Sequence, residues 1–144
     1  MNDPIAILKQ DHREVAAILR QLKESKRPSA TRRRLTAKLT AAMQLHMQIE
    51  ESLVYPLVAR DISEGEEQEA ETEHLLALEG LERMGELVDE GGFGAALAMV
   101  TAGIRHHVRE EETEMFPELK AALTREQLSA LGDEVAKAKR RRAA

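Results

Sequence analysis

Two eleven-residue stretches, HMQIEESLVYP from His46 and HVREEETEMFP from His107, share the pattern H-x-x-x-E-E-x-x-x-[Y/F]-P. Residues four apart on a helix stack on one face, so His46 with Glu50, and His107 with Glu111, each present an imidazole beside a carboxylate. Two more histidines, His12 and His74, precede these pairs by 34 and 33 residues. The chain thus delivers His and then His-x-x-x-Glu twice, as two hairpins building equivalent halves of one shared, roughly two-fold site.

A lone histidine on an apolar face is usually a hydrogen-bonded core residue, and one His-x-x-x-Glu is usually a surface pair. Six such groups in core phase are different. Buried without a cation, two carboxylates and four imidazoles carry a desolvation penalty of about several kcal/mol per ion. Purely nitrogen and oxygen donors, in a chain without cysteine, exclude iron–sulfur and thiolate zinc sites. Six ligands exceed one tetrahedral ion but suit two ions bridged by two carboxylates. Imidazole with carboxylate suits iron or manganese. The leading expectation is two iron ions bridged by an oxide or hydroxide.

The elements that must position these groups are helices. Ile5, Leu8, His12, Val15, Leu19 and Leu22 step by three or four residues after Asp3-Pro4, a cap and a first-turn proline. A second face runs Leu35, Leu39, Ala42, His46, Ile49/Glu50, Leu53; a third Ala70/Glu71, His74, Leu78, Leu81, Gly85, Val88. A fourth runs Phe93, Leu97, Val100, Ile104, His107, Glu111 and Met115 or Glu114. Ser29, Ser63 and the Gly91-Gly92 break punctuate them, and Thr124-Arg125-Glu126-Gln127 opens a further helix as a capping box. The expected fold class is all-α: an up-down-up-down four-helix bundle over about 3–26, 29–60, 63–89 and 93–121, with a short C-terminal helix over about 124–141, in one domain spanning 1–144. Pro56 and Pro117 are expected to kink or end their helices.

Composition agrees: rich in helix formers, with two Phe, one Tyr and no Trp. The net charge of −5 argues against non-specific nucleic-acid binding, and the basic runs Arg32-Arg33-Arg34 and Lys137–Arg142 are read as solvated helix ends. No apolar run approaches a membrane span and the first residues lack a signal-peptide pattern, so the expected location is cytoplasmic.

The phrases Asp11-His12, His46-x-x-x-Glu50-Glu51 with Tyr55-Pro56, Glu73-His74, and His107-x-x-x-Glu111-Glu112 with Phe116-Pro117 resemble the hemerythrin-like (HHE cation-binding) domains over essentially the whole chain. The resemblance implies that His12 and His46 hold one iron, that His74 and His107 hold the other, and that Glu50 and Glu111 bridge them. Oxygen-carrying hemerythrins have a further histidine where Leu78 stands, so four histidines leave an open coordination position. A ferritin-like pair of Glu-x-x-His units fails: only Glu71-x-x-His74 fits, since Lys9, Met43 and Ile104 precede the other histidines at that spacing. His106 with Glu110 would shift the register by one, and helix phase selects His107 with Glu111. Tyr55, Met43, Met47, Phe93 and Phe116 are candidates to line the site, with Leu78, Glu71 and His106 beside it. Glu51 and Glu112 are expected either to face solvent or to orient histidine N–H groups.

The expected function is a non-haem di-iron protein binding dioxygen or nitric oxide for sensing, delivery or redox defence. A di-iron redox enzyme (peroxide decomposition or ferroxidase) and an iron storage or repair protein are the alternatives. The expected partner is a small diatomic or peroxide ligand, with neither nucleic acid nor membrane.

Overall fold

The computed structural model describes residues 2–143; Met1, Ala144 and the side chains of Arg142, in the basic tail, and Ala143 lie outside the described residues. Helix α1 (Pro4–Glu24) starts where the Asp3 carboxylate accepts the Ile5 and Ala6 backbone N–H groups at 3.0 and 3.4 Å. Ser29 caps α2 (Ala30–Ile49), and Ser63 caps α4 (Glu64–Glu86). Each such cap contributes about 1 kcal/mol. Helix α5 (Phe93–Glu110) follows the glycine turn. Thr124 and Gln127 satisfy each other's backbone N–H groups, at 3.1 and 2.8 Å, to open α7 (Arg125–Ala143). Among the described residues there is no strand, and no helix is long and apolar enough to cross a membrane.

Two rods carry an irregularity that periodicity does not predict. Glu50–Val54 and Glu111–Met115 are π-helical turns, continuing into α3 (Tyr55–Asp61) and α6 (Phe116–Ala122). Both begin at a glutamate of the repeated phrase, and the Tyr55 and Phe116 N–H groups close them onto the Glu50 and Glu111 carbonyls. On a regular α-helix a residue five positions on lies about 140° around the axis. The widened turn instead buries both the fourth and the fifth residue: Val54 with Tyr55, and Met115 with Phe116. Leu53, expected inward, is only half-buried as a result. The same turns accommodate Pro56 and Pro117, which therefore sit inside continuing rods and end neither.

Helices α1, α2, α4 and α5 contact one another in a closed ring, and α7 packs on α1, α2 and the first π-turn. The apolar core divides in two. One cluster includes Val15, Leu19, Leu39, Met43, Met47, Leu81, Leu97 and Ile104. The other includes Leu8, Ile49, Val54, Tyr55, Ala70, Met115, Phe116 and Val135. Along every rod the polar residues of interest fall between the clusters, His12 between Leu8 and Val15 and His74 between Ala70 and Leu81, so a polar layer crosses the middle of the bundle. Helix α7 approaches the N-terminus so closely that a Cβ on Gly132 would run into the Asn2 carbonyl, and the Asn2 amide donates to Asp133 at 3.0 Å.

Several inward assignments change. On α4 Met84 is buried in place of the exposed Gly85. Arg32 is buried, not solvated: its guanidinium lies 4.4 Å from the Phe93 ring centroid and bonds Ser25 and the Val88 carbonyl. Phe93 thus packs at the far end of the bundle, about 21 Å along α5 from His107 at 1.5 Å per residue, and cannot line a site there.

Candidate metal centre

All six residues of the repeated pattern converge in the polar layer, each no more than 6 % exposed: His12, His46, Glu50, His74, His107 and Glu111. They form two nests of potential ligand atoms, each within 4.8 Å of one another: His12, His46, Glu50 and Glu111 in one, and Glu50, His74, His107 and Glu111 in the other. Both glutamates belong to both nests. The pairing is nearly two-fold: the His12 and His46 rings lie 4.9 Å apart at 64°, the His74 and His107 rings 4.7 Å apart at 65°.

Each imidazole turns Nδ1 outward onto a carboxylate from the preceding rod. Asp11 takes His46 at 2.9 Å, Glu51 takes His74 at 2.7 Å, Glu73 takes His107 at 2.7 Å, and Glu112 takes His12 at 2.6 Å, closing a ring around the bundle. A carboxylate only accepts, so Nδ1 carries the proton and Nε2 faces inward. His12 Nε2 lies 3.1 Å from Glu111, His74 Nε2 3.0 Å from Glu50, and the His74 and His107 Nε2 atoms 3.1 Å apart. This is how proteins present imidazole to a metal.

The residues present fit a cation. His46 Nε2 and Glu50 Oε2 are buried with no hydrogen-bond partner; His46 Nε2 comes within 3.2 Å of Glu50 Oε1, but without the alignment a hydrogen bond needs. Unpaired polar atoms at the bundle centre are costly unless something fills the space between them. Positive charge is what the cluster lacks. Burial opposes charging His46, yet Glu50, Asp11 and Glu111 outweigh it and lift its pKa to about 10. For His107 burial is likewise overcome, by bonds to Glu111, Glu50 and Glu73, raising it to about 12. Burial would raise Glu50, but His46, His107 and His74 hold it well below the usual carboxylate range. The carboxylates around His46 and His107 thus favour positive charge at the centre, as a bound cation would supply.

Tyr55, fully buried, stacks on His74 at 5.1 Å and sets its hydroxyl among four site atoms. The hydroxyl donates to Glu111 Oε2 at 2.7 Å and lies 3.0 Å from His74 Nε2, 3.2 Å from His107 Nε2 and 3.2 Å from Glu50 Oε1. Burial first, then the two glutamate charges, push its pKa far above that of an ordinary phenol. Phe116 is its counterpart, stacked on His12 at 5.9 Å without a hydroxyl.

The other expected neighbours separate. Met43 and Met47 lie in the first apolar cluster, and Leu78 is half-buried against it. Glu71 is exposed on the outer face of α4 and is no part of the site. His106 is 54 % exposed and joins Glu73 and Glu110, each at 3.2 Å, in an outer cluster. Asp11 and Glu73, each beside a site histidine in sequence, serve the histidine of the next rod. Glu51 and Glu112 orient histidines while partly exposed.

A family model described as Hemerythrin HHE cation binding domain matches residues 3–119. Among solved structures, a Hemerythrin HHE cation binding domain-containing protein from Mycobacterium kansasii is similar, with a TM-score of 0.85 at 24 % identity, covering 99 % of this chain and 89 % of that one. At that identity the likeness speaks for the fold alone. No curated protein matches the chain.

Proposed function

This chain belongs to the hemerythrin HHE cation-binding domain family, and from that premise we propose that it is a non-haem di-iron protein that binds dioxygen or nitric oxide for sensing, delivery or redox defence. The observation that carries the reading is the sharing of Glu50 and Glu111 by two four-residue nests. In this reading His12 and His46 would hold one ion and His74 and His107 the other, with Glu50 and Glu111 placed within reach of both. Iron in such a site supplies a redox-active pair of Lewis acids open to a small oxidising or diatomic ligand.

The chain's own residues do the rest. The ring of Asp11, Glu51, Glu73 and Glu112 fixes each imidazole tautomer and raises its basicity. The apolar clusters on either side exclude water. Tyr55 directs a hydroxyl proton into the nests and is placed to donate it to a guest. The second reading, a redox enzyme acting on peroxide, draws on Leu78 and Tyr55 together. Leucine in place of a fifth histidine would leave the ions one protein ligand fewer, and Tyr55 sets a proton donor among the candidate ligand atoms.

The test is anaerobic reconstitution with ferrous iron, followed by separate additions of dioxygen, nitric oxide and hydrogen peroxide. The proposal expects a new absorption band with gas that disappears under inert-gas purging. A band absent with both gases, or sustained gas evolution from excess peroxide without reversible binding, overturns it, the latter in favour of the enzyme.

A further inference from the structure

The two halves of the centre are not equivalent, and the difference comes from outside the four rods. Among the described residues Glu51, Glu73 and Glu112 pair with no lysine or arginine, whereas Asp11 does. One Asp11 oxygen accepts His46 Nδ1 at 2.9 Å; the other is ion-paired with Lys139 of α7. The contact is sheltered, the Asp11 side chain being 8 % and that of Lys139 30 % exposed. It is also built in. Lys139 lies one helical turn beyond Val135, which is fully buried against the second apolar cluster, and Gly132 brings the helix hard against the N-terminus.

We propose that Lys139 is a positioning residue that sets the two halves apart, so that the half built on His12 and His46 takes up its electron at the higher potential. The inference rests on the di-iron reading above. A carboxylate on the imidazole N–H strengthens the ring as a donor. A cation on that same carboxylate draws the charge back, leaving His46 the weakest donor of the four. The ammonium charge also favours the less positive oxidation state nearby by Coulomb attraction and repulsion alone. Both effects act on the Asp11 side; among the described residues no lysine or arginine faces Glu51, Glu73 or Glu112, and Glu73 meets only the exposed imidazole of His106.

The experiment is a potentiometric titration of the iron-loaded full chain with dithionite and mediators, with iron counted per chain beforehand. Wild type shows two separated one-electron steps. Lys139→Met lowers the upper step by about tenfold in relative affinity, which is about 59 mV for one electron, and moves the lower step less. Lys139→Gln, which can still donate to Asp11 but lacks the charge, gives the same drop, and Lys139→Arg stays near wild type. Unchanged potentials in both neutral variants overturn the inference, as does an arginine variant that shifts as far as the methionine one. A wild-type chain that holds no pair of irons sinks the di-iron reading itself; one that loads fully but shows no Lys139 effect sinks only this inference.

Discussion

Replacing Glu51 by glutamine removes a charge but keeps a carbonyl oxygen that can accept the His74 Nδ1 proton, now at 2.7 Å. The geometry survives and only the electrostatic support for His74 is lost. Removing such a carboxylate from beneath a metal-held imidazole costs about 10–100-fold in affinity, or about 1.4–2.8 kcal/mol. Exposure places each of the four within that range, because solvent screens an exposed charge. The side chains of Glu51, Glu112, Glu73 and Asp11 are 40, 33, 21 and 8 % exposed. Glu51→Gln therefore sits near tenfold and Asp11→Asn near a hundredfold, the latter aggravated because Lys139 loses its partner. The losses also sort by nest. Asp11→Asn with Glu112→Gln weakens only the ion of His12 and His46, Glu51→Gln with Glu73→Gln only the other, and Glu51→Gln with Glu112→Gln both. Ferrous iron titrated anaerobically against a chromogenic chelator resolves the two steps. A Glu51→Gln variant that weakens both steps equally, or by more than Asp11→Asn, refutes the ring of one carboxylate per histidine.

Tyr55→Phe keeps the fold and both ions but leaves Glu111 Oε2 without its 2.7 Å donor, lowering metal-free stability by about 1–3 kcal/mol and speeding nitric oxide release; unchanged melting and release rates contradict this. The pKa of His46 is raised to about 10 and that of His107 to about 12, so their contribution to metal-free stability is complete below about 6.5 and fades as pH climbs through those values. Thermal melts of the metal-free chain should fall between pH 7 and 10. Metal needs Nε2 unprotonated, so uptake should release protons and strengthen with pH; calorimetry in two buffers of different ionisation enthalpy that detects no release at pH 7 counts against it. Gly132→Ala drives a methyl into the Asn2 carbonyl and should cost about 1–3 kcal/mol of overpacking, several degrees of Tm; a variant as stable as wild type is the opposing result.

The bundle and its six inward polar residues were legible because helical phase is a sequence property. His12, His46, His74 and His107 stand where leucine belongs, and a phrase written twice points to a shared centre. The π-turns were not. A widened turn has no periodic signature, and Pro56 and Pro117, five residues past each turn's first but one, were its only trace. That is why Leu53 was expected inward in place of Val54. The carboxylate ring was half legible: Glu51 and Glu112 were candidates for orienting histidines, but which rod each serves depends on packing. Arg32 and Lys139 were read as solvated because each lies in a basic run. Only tertiary structure brings Phe93 and Ser25 to the one and Asp11 to the other. Glu71 failed because a residue three before His74 falls between the inward and outward faces, and here the outward side won.

The most direct measurement is iron per chain after anaerobic loading of the metal-free protein, taken on wild type, His74→Ala and Glu50→Gln side by side. Two nests sharing both glutamates predict two irons, one iron and none. A wild type that saturates at a single ion, or a Glu50→Gln variant that still holds two, contradicts the shared centre.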